Sequence, residues 1–449
     1  MLPREYPAIT CDSRKVTPGC LFIAVKGAND DGNKYIDAAM KAGAAAYVST
    51  DRLGLARIAD EFYGHPSGKL KLVGITGTNG KTTTVTLLYN MMRSLGYECG
   101  LLSTIANYVG SRRTETTNTT SDPITINRLL AEMVDAGCEY CFMEVSSIGV
   151  EQQRVAYLEF AVGIFSNLTH DHLDYHGTFA EYLRCKKMFF DDLPASATAI
   201  TNIDDRNGAV MTQNTRAKVV TYSCHSAADH TCRIIEESFD GMLLKMDGIE
   251  VWTKLIGAHN AYNLLAIYSA AIVLGTPVEE ALIALSKLES APGRLENHRG
   301  PRDLSVIIDY AHTPDAMENV LKTLRDVAPE RELICLFGCG GDRDRTKRPE
   351  MAGVAEKFAD RIFVTSDNSR TERTEDIIED IKKGFTPSGL AKTICISDRR
   401  EAIRTAIMLA PEGATILLAG KGHEDYQILG TEKLHFDEKE IVEEVFKSL

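Results

Sequence analysis

A glycine-rich segment with a lysine and three threonines is the part of the sequence whose residue types indicate chemistry most directly. It reads Gly77-Thr78-Asn79-Gly80-Lys81-Thr82-Thr83 and joins a strand candidate, Leu70 to Ile75, to a helical pattern from Lys81 to Leu95. A strand, a tight glycine turn and a helix start point backbone N–H groups and the helix dipole at an anion. The segment therefore predicts a phosphate-binding loop for a nucleoside triphosphate, which we expect to be ATP.

Three side chains would serve phosphoryl transfer at this loop. We expect the ammonium of Lys81 to contact the β- and γ-phosphates and the hydroxyl of Thr82 to ligate Mg²⁺. Glu144 follows the apolar residues Tyr140 to Met143, where a strand tip beside the loop would lie. A carboxylate there is costly unless it is paired or bound to a metal, so Glu144 is the candidate acidic ligand.

Strand-like and helix-like segments alternate along most of the sequence, which is the pattern of a parallel sheet flanked by helices. We predict an α/β fold with three domains: a small α/β domain over residues 1–69, a central parallel-sheet domain over 70–298, and a second doubly wound domain over 299–449. Pro66 with Gly68, and Pro292 with Gly293, indicate the two boundaries. Ligands in such sheets bind beyond the carboxyl ends of the strands.

The composition argues against several classes of function. The 449 residues are 44% hydrophobic and carry a net charge of −13, which disfavours binding to nucleic acid or to an anionic membrane. The first residues do not resemble a signal peptide, and the longest apolar stretch, Ala261 to Leu274, is too short to span a bilayer. Eleven scattered cysteines are typical of a reduced protein. We expect a cytoplasmic protein with neither a nucleic-acid partner nor membrane insertion, and we expect it to be a monomer.

Read together, several segments of the chain resemble motifs of the Mur ligases. Thr76 to Thr82 is similar to the family's phosphate loop, and Asn167 to His176 to its central histidine motif. Tyr182 to Lys186 resembles the segment with its carbamylated lysine, while Asp309 to Pro314 and Gly338 to Asp344 resemble its C-terminal ATP-site motifs. The resemblance covers essentially the whole chain. It implies an N-terminal UDP-binding domain, a central P-loop ATPase domain and a C-terminal Rossmann-like domain.

The resemblance also implies a reaction and its site residues. Mur ligases join a carboxylate to an amine with hydrolysis of ATP, through an acyl phosphate. The implied catalytic residues are Lys81, Glu144, His172 and Lys186. The implied ATP-binding residues are Gly77, Thr78, Asn79, Gly80, Lys81, Thr82, Thr83, Asn263, Arg294, Asp309 and His312. The implied metal ligands are Thr82, Glu144, His172 and carbamylated Lys186.

Two of these residues have a plainer alternative. Lys186 would ligate a cation only after carbamylation, because an ammonium cannot ligate a metal whereas a carbamate oxygen can. The alternative is a surface lysine on the helix Phe179 to Phe190. For His312 the alternative is a residue at the capped start of a helix before Pro314.

Within the family, the motifs are most similar to those of members that add a diamino acid to a UDP-N-acetylmuramoyl dipeptide. The implied binding residues for UDP-N-acetylmuramoyl-L-Ala-D-Glu are Ser13, Asn118, Thr119, Thr120, Ser146, Gln152 and Arg154. Those for the diamino acid are Arg343, Asp367, Asn368, Ser369, Arg370, Gly420 and Glu424.

Arg370 determines which diamino acid we expect. Members that add meso-diaminopimelate usually carry Asp-Asn-Pro-Arg, whose arginine binds the distal carboxylate; here Ser369 replaces the proline and Arg370 is retained. A planar guanidinium suits bidentate contact with a carboxylate. L-Lysine has no distal carboxylate, so we predict meso-diaminopimelate and keep L-lysine as the alternative. Arg370 would instead be structural if it paired with Glu372 or Glu375.

Two other functions compete with this prediction. Folylpolyglutamate and cyanophycin synthetases share the ATP-ligase core, but they lack the Asp12-Ser13-Arg14 segment and the Asp-Asn-x-Arg motif. A non-catalytic nucleotide-binding regulator would have a degenerate site, whereas Lys81, Glu144, His172 and Lys186 are all present. Phosphate release from ATP in the presence of the UDP-dipeptide distinguishes these possibilities.

Overall fold

The computed structural model describes residues 5–27, 31–116, 118–169 and 173–449. These residues form two compact units, and each is described by itself. The first contains the chain up to Leu168, Thr178–Thr231 and Asn263–Leu285; the second contains Thr169–Gly177, Cys232–Tyr262 and Ser286–Leu449. The domain boundaries expected near residues 69 and 298 stay predictions.

The first unit begins with a small parallel sheet. Its strands lie in the order β1 (Ile9–Thr10), β2 (Leu21–Val25), β3 (Ala46–Thr50), and its helices are α1 (Ile36–Lys41) and α2 (Arg52–Tyr63). Ile23 clusters with Leu55 and Ile58, whereas Phe22 clusters with Ala39. Because successive strand residues point to opposite faces, β2 is covered on both sides.

The larger sheet of the first unit has the phosphate-loop strand near its middle. Its strands are β4 (Lys71–Thr76), β5 (Cys99–Leu102), β6 (Asn107–Val109), β7 (Arg112–Thr114), β8 (Tyr140–Glu144), β9 (Phe160–Phe165), β10 (Thr198–Asn202), β11 (Lys218–Ser223) and the start of β12 (His230–Ser238). The order β5-β8-β4-β9-β10-β11-β12 is parallel, while β6 and β7 extend β5 as an antiparallel edge. The predicted parallel sheet is therefore confirmed in its centre, and the antiparallel edge is an addition to it.

Helices also lie between residues 81 and 286 of the chain, and the one at Leu173–His176 belongs to the second unit. They are α3 (Lys81–Ser94), α4 (Pro123–Asp135), α5 (Ser147–Glu151), α6 (Leu173–His176), α7 (Phe179–Asp191), α8 (Gly208–Met211), α9 (Ala258–Val273) and α10 (Val278–Ser286). Short 3₁₀ turns lie at Ser13–Lys15, Gly32–Tyr35, Pro66–Lys69 and Pro301–Asp303. No helix in the described ranges has both the length and the apolar character needed to cross a membrane.

The second unit contains a doubly wound sheet, as predicted. The last part of β12 pairs antiparallel with β13 (Gly241–Met246), which pairs with β14 (Ile249–Thr253). The main sheet has the order β15-β16-β20-β17-β18-β19, with only β15 antiparallel to its neighbour. Its strands and the adjoining hairpin are β15 (Glu296–Arg299), β16 (Ser305–Asp309), β17 (Leu333–Phe337), β18 (Arg361–Val364), β19 (Thr393–Cys395), β20 (Thr415–Ala419), β21 (Tyr426–Leu429) and β22 (Glu432–His435).

Helices cover both faces of this sheet. They are α11 (Pro314–Val327), α12 (Lys347–Phe358), α13 (Thr374–Lys382), α14 (Pro387–Ala391), α15 (Arg399–Leu409) and α16 (Glu438–Ser448). One apolar core joins α11, α12 and α13 to the sheet, and another joins α15 and α16 to it. The turns after β16, β17, β18 and β20 emerge at the carboxyl edge, where a ligand is expected in such a fold.

Candidate active site

The phosphate loop has a backbone that only glycine can supply at two positions. Gly77 and Gly80 have φ values of 154° and 86°. A Cβ on Gly77 would lie 1.9 Å from Ser166 Oγ, and one on Gly80 would lie 2.4 Å from Asn263 Oδ1. Asn167 fixes the turn, because its Oδ1 accepts from Asn79 N at 2.9 Å. Asn263 thus lies beside the loop, as expected for a nucleotide contact.

The hydroxyl of Thr82 lies beside Glu144, and the ammonium of Lys81 lies against the loop itself. Ile75 of β4 pairs with Glu144 of β8, so the two strand tips are adjacent. Thr82 Oγ1 donates to Glu144 Oε2 at 3.0 Å, and Glu144 is 1% exposed. Lys81 Nζ donates to the carbonyls of the loop that precedes it, Gly77 and Thr78, at 2.9 Å each. A buried carboxylate and hydroxyl at this spacing fit the oxygen ligands of Mg²⁺.

Lys186 is buried against the same loop and is not the surface lysine of the alternative interpretation. It lies on α7 with 1% exposure, and its Nζ donates to Gly77 O at 2.8 Å. The same Nζ lies 4.7 Å from the ring centroid of Tyr182, whose hydroxyl is 3.0 Å from Thr78 Oγ1. His172, the other expected ligand, lies outside the described residues. In the described ranges, no group of three acidic, histidine or cysteine side chains forms a metal site by itself.

Most residues expected to bind the UDP-dipeptide surround the backbone next to Glu144. Thr120 Oγ1 donates to Glu144 O at 2.9 Å and accepts from Ser146 N at 3.0 Å. Arg154 donates to Thr120 O at 2.6 Å and to Gln152 Oε1 at 2.7 Å.

The remaining members of this group are placed differently. Thr119 is 3.0 Å from Thr104, whose backbone N–H donates to Glu144 Oε1 at 2.8 Å. Asn118 accepts from Thr116 Oγ1 through its carbonyl at 2.9 Å. Ser13 lies apart, at the start of a 3₁₀ turn in the small parallel sheet's domain. The adjoining Asp12 pairs with Arg14, which lowers the pKa of Asp12 to about 2.

In the second unit, the expected nucleotide residues surround Tyr310. Asp309 accepts from Leu295 N at 2.7 Å and from Ala311 N at 2.8 Å, and burial raises the pKa of Asp309. The guanidinium of Arg294 lies 4.8 Å from the ring centroid of Tyr310. His312 is not the cap of α11, since Thr313 fills that position. These contacts group Arg294, Asp309 and His312 at the carboxyl end of β16.

The residues expected to bind the diamino acid meet around a lysine that we did not single out from the sequence. Lys421 Nζ lies 3.3 Å from Asp367 Oδ1, 3.2 Å from Asn368 Oδ1 and 3.3 Å from Glu424 Oε2. Asn368 Nδ2 also donates to Glu424 Oε2, at 2.9 Å. Lys421 lies within the motif Gly420-Lys-Gly-His-Glu424, so its proximity to Glu424 was the available signal.

Opposing effects set the charges of these two carboxyl groups. Burial raises the pKa of Glu424, and the favourable charge of Lys421 only partly offsets it. Burial also acts to raise the pKa of Asp367, but Lys421 and Arg399 outweigh it, so the pKa of Asp367 is lowered. The pair therefore presents one firmly ionised carboxylate and one whose charge is sensitive to its surroundings.

No carboxylate of the described residues lies within 4 Å of the Arg370 guanidinium, although the charge of Arg370 helps to lower the pKa of Asp342. Arg370 Nη1 donates to Gly341 O at 2.9 Å and to Asn368 O at 3.3 Å. Its backbone, with φ at 50°, is held by β21 because Arg370 N donates to Ile428 O.

The other residues expected to bind the diamino acid differ in exposure. Ser369 is buried, and Gly420 has a φ of 117°. Arg343 is exposed, and its Nη1 lies 3.4 Å from Asp342 O.

Glu372, the expected alternative partner of Arg370, is committed to other groups. Arg348, which is fully buried, donates to both of its oxygens at 2.9 and 3.1 Å, and Arg345 lies 2.8 Å away. Glu375 lies 3.8 Å from Arg373. Both carboxylates considered in the sequence interpretation therefore pair with other arginines, and neither forms an ion pair with Arg370.

Comparison with known proteins identifies the family of this chain. The family model "Mur ligase family, catalytic domain" matches residues 5–63, "Mur ligase middle domain" matches 75–271, and "Mur ligase, glutamate ligase domain" matches 293–422. The chain belongs to the Mur ligase family. The resemblance seen in the motifs is thereby confirmed over most of the chain.

Relatives and solved structures agree with this assignment. The chain is 49% identical to the UDP-N-acetylmuramoyl-L-alanyl-D-glutamate--2,6-diaminopimelate ligase of Phocaeicola vulgatus, over 99% of this chain and 95% of that protein. It is 40% identical to ligase 1 of that name from Clostridium acetobutylicum, over 99% and 95% of the two chains. A solved structure of a ligase with that name has a TM-score of 0.70 at 32% identity, covering 99% and 95%. The MurF ligase of Thermotoga maritima in complex with ADP has the same fold, with a TM-score of 0.66 at 18% identity, covering 100% and 98%.

Proposed function

We propose that the chain is an ATP-dependent ligase that joins meso-diaminopimelate to the D-Glu carboxylate of UDP-N-acetylmuramoyl-L-Ala-D-Glu. The observation that carries the choice of amino acid is Arg370, whose guanidinium donates only to backbone carbonyls among the described residues. A substrate with a second carboxylate would satisfy that guanidinium with bidentate bonds. The relatives named for this reaction, at 49% identity over nearly the full chain, support the same conclusion.

The first half of the reaction concerns the loop of the first unit. Lys81 would exchange its loop carbonyls for phosphate oxygens and stabilise the charge that gathers as the substrate carboxylate attacks the γ-phosphate. Thr82 and Glu144 would hold Mg²⁺, which supplies further charge neutralisation when bound. The attack forms the bond between carboxylate oxygen and phosphorus and releases ADP, leaving an acyl phosphate.

Lys186 would act in this step through a carbamate. Carbon dioxide adds to the neutral amine with loss of one proton, and the resulting oxygens can ligate a cation that the ammonium cannot. The burial of the Lys186 side chain beside Gly77 supports this proposal. We include His172 as the second protein ligand by resemblance alone.

The second half requires a neutral amine on the incoming diamino acid. The amine attacks the acyl carbon, the tetrahedral intermediate expels phosphate, and an amide bond forms. Arg370, with Arg343, would bind the distal carboxylate, while Glu424 and the Gly420 carbonyl would bind the distal ammonium. Positioning of this kind raises the effective concentration of the attacking amine.

We further propose that Arg294, Asp309, His312 and Asn263 contact the nucleotide, and that the small N-terminal domain with Ser13 binds the UDP group. A cytoplasmic monomer is proposed as well. Light scattering of the purified protein tests the oligomeric state, and a stable dimer would contradict the proposal.

The reaction is tested by phosphate release from ATP with UDP-N-acetylmuramoyl-L-Ala-D-Glu and a panel of amino acids. We expect turnover with meso-diaminopimelate to exceed that with L-lysine clearly, and mass spectrometry to show the tripeptide product. Equal or faster turnover with L-lysine would overturn the choice of amino acid. No phosphate release with any diamino acid would overturn the ligase proposal itself.

A further inference from the structure

A fully buried lysine in the second unit has no role in the mechanism described so far. The side chain of Lys421 is 0% exposed, and its Nζ donates to Tyr426 O at 2.7 Å and to Asn368 Oδ1 at 3.2 Å. The same atom lies 3.3 Å from both Asp367 Oδ1 and Glu424 Oε2. We propose that Lys421 is a positioning residue that holds Asn368 and Glu424 in the orientation that binds the distal ammonium of the incoming diamino acid. This inference rests on the proposed function.

The orientation of Asn368 follows from its acceptor atom. Oδ1 accepts from Lys421 Nζ and, at 2.9 Å, from the backbone N–H of Ile428. Two donors on that oxygen fix the amide, so Nδ2 faces Glu424 as a donor. Without the lysine ammonium, a single backbone donor would remain to hold the amide in this orientation.

The orientation of Glu424 follows in the same way. Its Oε2 accepts hydrogen bonds from Lys421 and Asn368, whereas Oε1 lies 3.5 Å from the hydroxyl of Tyr310, a long hydrogen bond. Oε1 is therefore the oxygen better able to accept from a ligand ammonium. A charged donor on one carboxylate oxygen also favours the ionised carboxylate, which the ligand requires, against the opposing effect of burial.

The charge balance favours one cationic ligand group. Asp367 and Glu424 contribute two negative charges when ionised, and Lys421 contributes one positive charge between them. Arg399 also lowers the pKa of Asp367, but its charge is balanced by its ion pair with Glu438. Asp367, Glu424 and Lys421 together then carry one net negative charge in a buried setting, and a single ammonium would neutralise it. If Lys421 were absent, repulsion between the two carboxylates would favour protonation of one of them, and the site would lose that charge.

The test compares Lys421→Met with Lys433→Met in the full chain. Lys433 is a matched control because its Nζ lies 3.9 Å from the ring centroid of Tyr426, which Lys421 also contacts, but on the exposed side of the hairpin. With ATP and UDP-dipeptide saturating, we expect Lys421→Met to raise the KM for meso-diaminopimelate about tenfold or more while kcat stays within about threefold. The acidic limb of kcat/KM should move to higher pH, and Lys433→Met should leave both quantities unchanged.

A double variant separates positioning from a general effect on the fold. Adding Glu424→Gln to Lys421→Met removes one charge of each sign, so this protein should fold even if the single variant does not. Because Lys421 acts through Glu424, we expect its KM to be close to that of Glu424→Gln alone. Additive effects of the two changes, or a single variant with an unchanged KM, would overturn the inference.

Failure of the proposed function would look different. If the natural protein released no phosphate with any diamino acid, the ligase proposal would fail, and a crystal structure of Lys421→Met would decide the positioning role. A rotated Asn368 amide or a displaced Glu424 carboxylate would support it. Side chains in unchanged positions would overturn it.

Discussion

Lys81 illustrates how a single residue is prepared for an anion. Its ammonium donates to the carbonyls of Gly77 and Thr78, which belong to the loop that would surround the phosphates. Carbonyl oxygens carry only partial charge, so a phosphate oxygen is the stronger partner and can replace them. The loop therefore keeps the lysine close to the position where charge develops.

Removing this ammonium should slow phosphoryl transfer strongly. We expect Lys81→Met to lower the rate of substrate-dependent phosphate release by about 10²–10³-fold, because one preorganised donor to the transition state is lost. Lys69→Met, an exposed lysine in the 3₁₀ turn before β4, is the control and should keep the natural rate. A Lys81→Met protein with more than a tenth of the natural rate would contradict this role.

Arg370 allows a test of amino-acid choice at the same scale. Lysine at this position keeps the charge but loses the planar fork, so Arg370→Lys should raise the KM for meso-diaminopimelate by about 10–100-fold. Turnover with L-lysine, which has no distal carboxylate, should not fall by a similar factor. Arg373→Lys is the matched control, because Arg373 is exposed and its guanidinium forms a long contact with the exposed Glu375, at 3.8 Å. An equal loss with both amino acids would indicate a structural role instead.

At the scale of elements, the sequence predicted the strands whose residues are apolar throughout. The strand predicted from Leu70 to Ile75 is β4, which begins and ends one residue later, and the predicted bounds of α3 and α7 each differ by one residue at the carboxyl end. The edge strands β6, β7, β13 and β14 escaped prediction. β7 has only three residues, all polar, and its pairing with β6 depends on a neighbour that its own sequence does not specify.

The site was predictable to a similar, limited degree. Motif residues such as Thr82, Glu144 and Lys186 lie together at one loop, although the sequence alone could not give the distances. Lys421 was overlooked although its partner Glu424 lies only three residues away, whereas Arg348 was overlooked because its partners are distant along the chain. Arg348 pairs with Glu372 and Asp380, and no local pattern distinguishes it from an exposed arginine.

Arg399 is a second fully buried arginine of the second unit, and like Arg348 it pairs with a carboxylate distant along the chain. Arg399 on α15 pairs with Glu438 on α16, at 0% and 1% exposure, and also donates to Ser366 O and Ala419 O. Arg399→Met should destabilise the folded protein by about 3–5 kcal/mol, since it leaves Glu438 buried without its partner. The neighbouring Arg400→Met removes only an exposed pair with Glu444 and should cost less than about 1 kcal/mol.

Urea denaturation of both variants tests this difference. We expect a clearly lower midpoint for Arg399→Met and a midpoint near that of the natural protein for Arg400→Met. Because the chain contains several domains, fluorescence and circular dichroism should be followed together. Similar midpoints for the two variants would show that burial of the Arg399 pair does not matter for stability.

At the scale of the whole molecule, three family models match successive ranges of the chain, 5–63, 75–271 and 293–422. The net charge of −13 makes local cationic groups necessary for a reaction among anionic substrates. Lys81 in the first unit and Arg370 in the second each lie against backbone carbonyls. A net negative charge is therefore compatible with anionic ligands if single cations such as Lys81 and Arg370 bind them locally.

Acid stability of the whole molecule should depend on histidine burial. The partly buried position of His259 lowers the pKa of its imidazole to about 4 through desolvation, whereas an unfolded histidine titrates near 6.5. Below about pH 6.5 the unfolded chain binds a proton that the folded chain does not bind until about pH 4, so stability falls with decreasing pH across this window and levels off below it. His259→Asn should reduce the slope of the free energy of unfolding against pH by up to about 1.4 kcal/mol per pH unit. Urea denaturation at several pH values between pH 7 and pH 4 measures this slope.

His435 is the control for this prediction because its shift has the opposite sign. Its bond to Glu440 raises the pKa of His435, so any stabilisation is present at low pH and is lost as pH rises through the raised pKa. The side chain is exposed, so solvent screening keeps this contribution small. We therefore expect His435→Asn to retain the natural loss of stability on acidification and His259→Asn to reduce it. If both variants kept the full slope, the acid sensitivity would arise from other groups, and burial of His259 would not be its cause.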